Sequence, residues 1–253
     1  MQKKIRNARR KFHAVLCEHG IIGKTGDGVP FIADSHNRSS IAIASDMLRG
    51  IGGTETTIPA RLPGQKAGNL FEAAVSAFLQ DTLRNQKWDI KHDGSSTLSD
   101  FAQYEHLAEL QALSSEFPDL AAAIGYDYMI RPDITISEIT QPHNKPVLIA
   151  SISAKLTMRS DRAQNSRTEA LNMIRNRKGH LPHIVVVTAE PLPGRIASIA
   201  LGTGDIDCVY HIALPELQKA VYSKGSDEAR SQLETMIKGK RLKDIAELLV
   251  DLY

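Results

Sequence analysis

Leu70, Phe71, Ala74, Val75, Phe78 and Leu79 recur at three- and four-residue spacing, which predicts a helix over residues 69–84 with one buried face. Pro63-Gly64 breaks the chain ahead of it. A basic helix is predicted over 4–18, followed by a loop-rich stretch punctuated by Gly20, Gly23, Gly26 and Gly28. A further helix is predicted over 98–115, with Phe101, Leu107, Leu110 and Leu113 facing inward. After Pro118 the period changes. Residues 128–137 and 147–155 alternate and are rich in β-formers, and Pro142, His143, Asn144 and Pro146 mark a turn between them. So short a connection predicts an antiparallel hairpin. A helix over 163–176 and a strand over 183–188 follow. The unbroken Ile184-Val185-Val186-Val187 run of that strand predicts burial on both faces. A strand near 206–212 precedes a helical C-terminal region. The order predicts an α/β fold: a mixed central sheet flanked by helices.

The bulk properties narrow this only a little. The chain has 253 residues, 42% of them hydrophobic and 24% charged, enough to bury a core without staples. It shows no repeat or long linker, so a single domain over 1–253 is expected. Cys17 and Cys208 stand far apart without a CxxC partner, so reduced thiols in a cytoplasmic protein are expected and zinc is not. Residues 1–11 form a basic run without the apolar stretch of an export signal. No segment approaches the roughly 20 apolar residues of a membrane span. A net charge of +2 permits nucleic-acid binding without demanding it, because a basic patch can hide in a balanced total.

The chemistry concentrates in Arg131-Pro132-Asp133 and Ser153-Ala154-Lys155. A turn centred near 143–144 sets Asp133 opposite Lys155 to within about one residue of register, ~5 Å apart at Cβ. Alternation puts Ser153 with Lys155 on one face of its strand, and Asp133 with Thr135 on one face of the other. From spacing alone, this reads first as a plain cross-strand ion pair. Glu169 lies two helical turns past Arg162 and can look back at the sheet. Two carboxylates, a lysine and a hydroxyl around one point suit phosphodiester hydrolysis with Mg²⁺. Hard oxygens hold the ion, and a cation orients or deprotonates water.

A Pro-Asp followed by residue-x-Lys resembles the PD-(D/E)xK nucleases. The acid usual before the lysine is replaced by Ser153, and Glu169 stands fourteen residues after Lys155. That variant resembles the restriction enzymes that cut CCGG-containing palindromes, in which a helix glutamate replaces the strand acid. Within them the chain is similar to the NgoMIV family. The likeness runs through Arg61-Leu62-Pro63-Gly64-Gln65, Phe71-Glu72, Ile152-Ser153, Arg159-Ser160-Asp161-Arg162-Ala163-Gln164-Asn165 and Asn176-Arg177-Lys178-Gly179. It continues over 181–191, 200–210 and 239–245. The stretch from Asp133 to Lys155 is some twenty-five residues shorter than the family leads one to expect, a deletion in the hairpin connection.

The resemblance implies a PD-(D/E)xK restriction endonuclease-like fold and a type II enzyme acting on double-stranded DNA with Mg²⁺. The implied site is GCCGGC, cut after its first G to leave 5′ overhangs. It implies Asp133 and Glu169 as metal ligands, Lys155 as the catalytic lysine, Ser153 beside the metal, and Glu72 near it. From the residues alone, Glu72 is also readable as a solvated helix glutamate. Arg159, Asp161 and Arg162 read by themselves as an N-cap with flanking charge; the resemblance makes them readers of the central CCGG. Arginine can donate twice to guanine and a carboxylate can accept from cytosine N4. By the same resemblance Arg195 and Asp34 read the outer G·C pair and Gln65 touches a base. His36 stands where the family favours serine, which makes the outer base pair the less defined one. A palindromic site requires at least a dimer; the family adds a homotetramer and a cognate DNA methyltransferase. Alternatives are a nuclease of this fold with another specificity, and a DNA-binding relative that does not cut. Gly23-Lys24-Thr25-Gly26 lacks phosphate-loop spacing and reads as a turn. His180, His183 and His211 lack ligand spacing and read as structural.

Overall fold

The computed structural model describes residues 2–52, 63–83, 87–125, 127–139, 144–158, 160–202 and 204–252. The basic N-terminal helix is α1, Gln2–Glu18. The stretch read as loop-rich contains a helix, α2, Arg38–Gly50. Asn37 caps it by accepting the Ser40 N–H at 3.0 Å, and Ile43, Ala44, Met47 and Leu48 form its buried face. Gly23–Gly26 is a turn as expected, closed by the Thr25 N–H to Val29 O at 2.9 Å. Helix α3, Gly64–Leu83, starts directly after Pro63.

Strand β1, Trp88–His92, was not expected; its alternating half-buried and exposed residues suit an edge strand. The helix expected over 98–115 is two 3₁₀ turns, Leu98–Asp100 and Ala102–Tyr104, and then α4, His106–Glu116. Leu113, expected inward, is 46% exposed. Helix α5, Pro118–Ile124, follows. Strand β2 covers only Ile134–Glu138. The chain ahead of it folds locally, with the Ile130 N–H on Tyr128 O at 3.0 Å. Pro132 has no N–H to give a ladder. Strand β3, Val147–Lys155, pairs antiparallel with β2.

Next come α6 (Ser160–Asn176), β4 (His183–Thr188), α7 (Pro193–Ala200) and β5 (Cys208–His211). The C-terminal region holds α8 (Leu214–Lys224), α9 (Asp227–Lys238), the short strand β6 (Leu242–Asp244) and α10 (Ile245–Asp251). Among the described residues the strands form one sheet in the order β1-β2-β3-β4-β5-β6. The β1–β2 and β2–β3 pairs are antiparallel; β3–β4, β4–β5 and β5–β6 are parallel. This is the mixed α/β sheet expected. Ile134, Ile136, Ala150 and Ile152 are fully buried, and α3 packs against β1 and β3. On the other face α6 covers β3 and β4, with Ala170 and Met173 beside Ile184 and Val186. The two cysteines are free thiols. Among the described residues no helix is long and apolar enough to cross a membrane.

Candidate active site

Three donors from the end of β3 converge on Asp133, which sits just ahead of β2. The Ala154 N–H reaches its Oδ2 at 2.9 Å, Lys155 Nζ at 2.7 Å and Ser153 Oγ at 3.4 Å. The pairing is one step from the register expected. Ile134 faces Ile152, which carried back one residue sets Asp133 opposite Ser153. Lys155 is the diagonal neighbour, and its long side chain closes the gap. Nearer the connection the register shifts by one residue, between Ile136 and Ser137. All hydrogen bonds that Asp133 accepts from described residues go to Oδ2, leaving Oδ1 for another partner.

Helix α6 brings Glu169 and Ser166 to the same place. They line a cavity of about 20 Å³ together with Asp133, Ser151 and Ser153, room for one water-sized guest. Ser166 Oγ lies 3.4 Å from Ser153 Oγ. No described residue gives Glu169 a hydrogen bond. Desolvation by the cavity wall pushes its carboxyl above the ordinary value, the Lys155 charge opposes this and the Asp133 charge adds to it. Glu72, on α3, is also pushed up, first by burial, with the Asp93 N–H at 2.7 Å acting against it and the Asp133 charge adding to it. Glu72 thus lies within the field of Asp133.

The sequence reading missed the neighbours of Glu72. Ligand atoms of Glu72, His92 and Asp93 all lie within 4.8 Å of one another, a geometry that could hold a metal ion. Asp93 has φ of 65°, and Asp93-Gly94 closes the turn after β1. An Asp-Gly turn after a short alternating run was the available signal, and it went unread because β1 itself was not recognised.

Asp34 and Arg195 are 161 residues apart, yet Arg195 Nη2 hydrogen-bonds Asp34 Oδ2. The His36 N–H on Asp34 Oδ1 at 3.1 Å and then Arg195 hold the Asp34 carboxyl below its ordinary range. Gln65 is exposed in the first turn of α3, seven residues and two turns before Glu72. Arg159 lies outside the described residues, as do the side chains of Asp161 and Arg162, although both belong to the first turn of α6.

The family model for the NgoMIV restriction enzyme matches residues 12–142 and 137–253. The chain belongs to the NgoMIV restriction enzyme family. It is 44% identical over 281 positions to the type II restriction enzyme NgoMIV of Neisseria gonorrhoeae, covering 96% of each chain. Membership of the NgoMIV family makes it a type II restriction enzyme, a site-specific deoxyribonuclease. The two matched segments meet at 137–142, and an alignment of 281 positions exceeds the 253-residue chain by 28. Both fit a deletion in the β2–β3 connection, where it leaves Asp133 and Lys155 in contact. Among solved structures, the pre-specific restriction endonuclease BsaWI–DNA complex superposes with a TM-score of 0.38 at 13% identity. That match covers 74% of this chain and 59% of the other.

Proposed function

We propose that this NgoMIV-family chain cleaves double-stranded DNA with Mg²⁺ at a palindrome with a CCGG core, GCCGGC, after its first G. The observation that carries the chemistry is the convergence of Lys155, the Ala154 N–H and Ser153 on one oxygen of Asp133, with Glu169 facing the same cavity. The donor set fits a hard cation. Among the described residues nothing hydrogen-bonds Asp133 Oδ1 or the Glu169 carboxylate, and these are the oxygen ligands Mg²⁺ takes, with Glu72 close by. Bound there, Mg²⁺ would polarise the scissile phosphate and neutralise its developing charge.

The chain's own residues do the rest. Lys155, anchored 2.7 Å from Asp133, holds an ammonium where it can orient the attacking water. The Ala154 N–H fixes the carboxylate's direction, so Asp133 need not reorganise. Water attacks phosphorus in line, the bond to the 3′ oxygen breaks, and the products are a 5′-phosphate and a 3′-hydroxyl. Asp133 and Glu169 act as ligands, Lys155 as the catalytic lysine, Glu72 and Ser153 in support. Arg159, Asp161 and Arg162 read the central CCGG; Asp34 and Arg195 read the outer pair, and Gln65 touches a base. The Asp34–Arg195 contact supports this, since an acceptor for cytosine N4 beside a donor for guanine matches one G·C pair. Two-fold symmetry of the site calls for a dimer, and the family for a homotetramer, in a cytoplasm protected by a cognate methyltransferase.

Digestion of plasmids carrying zero, one or two GCCGGC sites, with sequencing of the ends, tests the reading. Cuts after the first G of that site, faster with two copies, are the expected result. Cutting at another CCGG palindrome overturns the outer-pair assignment, and no cutting in Mg²⁺ overturns the catalytic one.

A further inference from the structure

Glu190 lies just past the end of β4 with no solvent exposure, and it is neither a metal-site residue nor a base reader. Its Oε2 accepts the Met158 N–H at 2.8 Å and its Oε1 the Leu192 N–H at 3.1 Å. Its backbone is pinned as well. The Glu190 N–H reaches Thr188 Oγ1 at 3.1 Å, and its carbonyl accepts from His211 Nε2 at 3.2 Å. The tautomer follows from the other nitrogen, because Nδ1 accepts the Ala213 N–H at 3.0 Å and leaves the proton on Nε2. Nothing in a hydrophobic core requires a carboxylate here, and burying one is costly unless its bonds are needed.

The partners show what the carboxylate does. Leu192 is the cap of α7, and its carbonyl accepts the Arg195 N–H at 3.1 Å. Arg195 Nη1 lies 3.8 Å from Glu190 Oε2, while Nη2 engages Asp34. Glu190 therefore holds both the backbone that launches Arg195 and one edge of its guanidinium. Met158 is the last described residue before α6, three residues past Lys155, so the same carboxylate also fixes the link from the catalytic strand to the helix that carries Glu169.

We propose that Glu190 is a positioning residue for outer base-pair recognition, aiming the Arg195 fork at guanine and tying it to the β3–α6 link. This rests on the reading of Arg195 and Asp34 as the outer-pair readers. A fork held from one side by a rigid acid presents its remaining donors in a fixed plane, which bidentate readout requires.

The test measures kcat and KM on duplexes carrying the palindrome that the wild type cuts and on duplexes with only the outer pair changed. Wild type, Glu190→Gln, Glu190→Asp and Arg195→Ala are compared. Glu190→Gln keeps shape but loses the charge and one acceptor; it should cut the outer-pair preference by ~10-fold, mainly through KM on the preferred duplex. Glu190→Asp, which keeps the charge, should recover part of that preference. If Glu190→Gln lowers stability and slows both duplexes alike, with the preference intact, Glu190 is merely structural and the proposal falls. Arg195→Ala separates the two layers. A preference unchanged in Arg195→Ala overturns the reader assignment itself. A preference lost there but kept in Glu190→Gln overturns only the role of Glu190.

Discussion

Two ionic clusters in this molecule are built from the same parts, one cation and two carboxylates. At the end of β3 they are Lys155, Asp133 and Glu169; where α1 meets α8 and β6 they are Arg9, Glu216 and Asp244. The second is saturated. Arg9 gives Nε to Asp244 at 3.2 Å and both terminal nitrogens to Glu216, and Asp244 also takes the Leu214 and Ala246 N–H groups at 3.1 and 3.0 Å. The first is unfinished. Lysine is a point charge rather than a fork; it meets one oxygen of Asp133, and among the described residues none gives Glu169 a hydrogen bond. A raised carboxyl does not separate the two, since burial also pushes Asp244 up against Arg9. Spare lone pairs do. A structural cluster uses up its acceptors, and a site keeps some for a ligand.

The largest effect should come from Asp133→Ala. If Asp133 holds a metal as proposed, and that metal supplies about 4 kcal/mol of charge stabilisation, cleavage falls ~10³-fold. Stability should move by less than about 1 kcal/mol, because the pair is part-exposed. Gel assays of cleavage and denaturant curves on the same preparation check both, and wild-type cutting by the variant would remove Asp133 from the metal site.

Arg9→Ala should do the reverse. It strands two carboxylates that are 17% and 11% exposed at the side chain, so unfolding free energy should drop by roughly 2–3 kcal/mol. Cleavage per folded molecule should stay unchanged. A lost turnover with intact stability would show that the cluster communicates with the site.

A gentler pair of variants gives opposite signs. The Glu169 carboxyl is raised above its unfolded value. Its contribution to stability is therefore present below pH ~4.5 and lost as pH rises through the folded value. Metal-free Glu169→Gln should be more stable than wild type at pH 8, by roughly 0.5–1 kcal/mol after solvent screening, with the gain vanishing toward pH 4. Burial pushes Glu216 up, but Arg9 wins and holds it low. Its contribution is present above the unfolded value and lost as pH falls, so Glu216→Gln should cost about 1–2 kcal/mol at pH 8. Urea titrations at both pH values decide, and equal signs would dissolve the distinction between the clusters.

Strong periodicity made α3, β3 and β4 legible, and with them Asp133, Lys155 and Glu169, because each lies on or beside a well-patterned element. What was misread carried weak patterns. Strand β1 has five alternating residues with Asp89 and Lys91 outward, too few to outweigh a loop reading. Helix α2 hid behind glycines that punctuate the chain before it. The Asp34–Arg195 contact spans 161 residues, and no local rule reports such a distance. Glu190 looked like one more polar residue after a strand, because burial is not written in a side chain's identity.

Ser153 offers the smallest and sharpest test. In the PD-(D/E)xK pattern an acid stands at its position, so its hydroxyl could be read as a substitute ligand. The geometry argues otherwise. Its Oγ is 3.4 Å from both Asp133 and Ser166, at the long edge of hydrogen bonding, while the neighbouring Ala154 N–H holds Asp133 at 2.9 Å. A bond that long contributes about 0.5 kcal/mol at most. Ser153→Ala should therefore slow cleavage no more than ~2-fold. Measured single-turnover rates that fell a hundredfold would place the hydroxyl among the metal's ligands, and the unfinished cluster would then hold one more acceptor than its carboxylates supply.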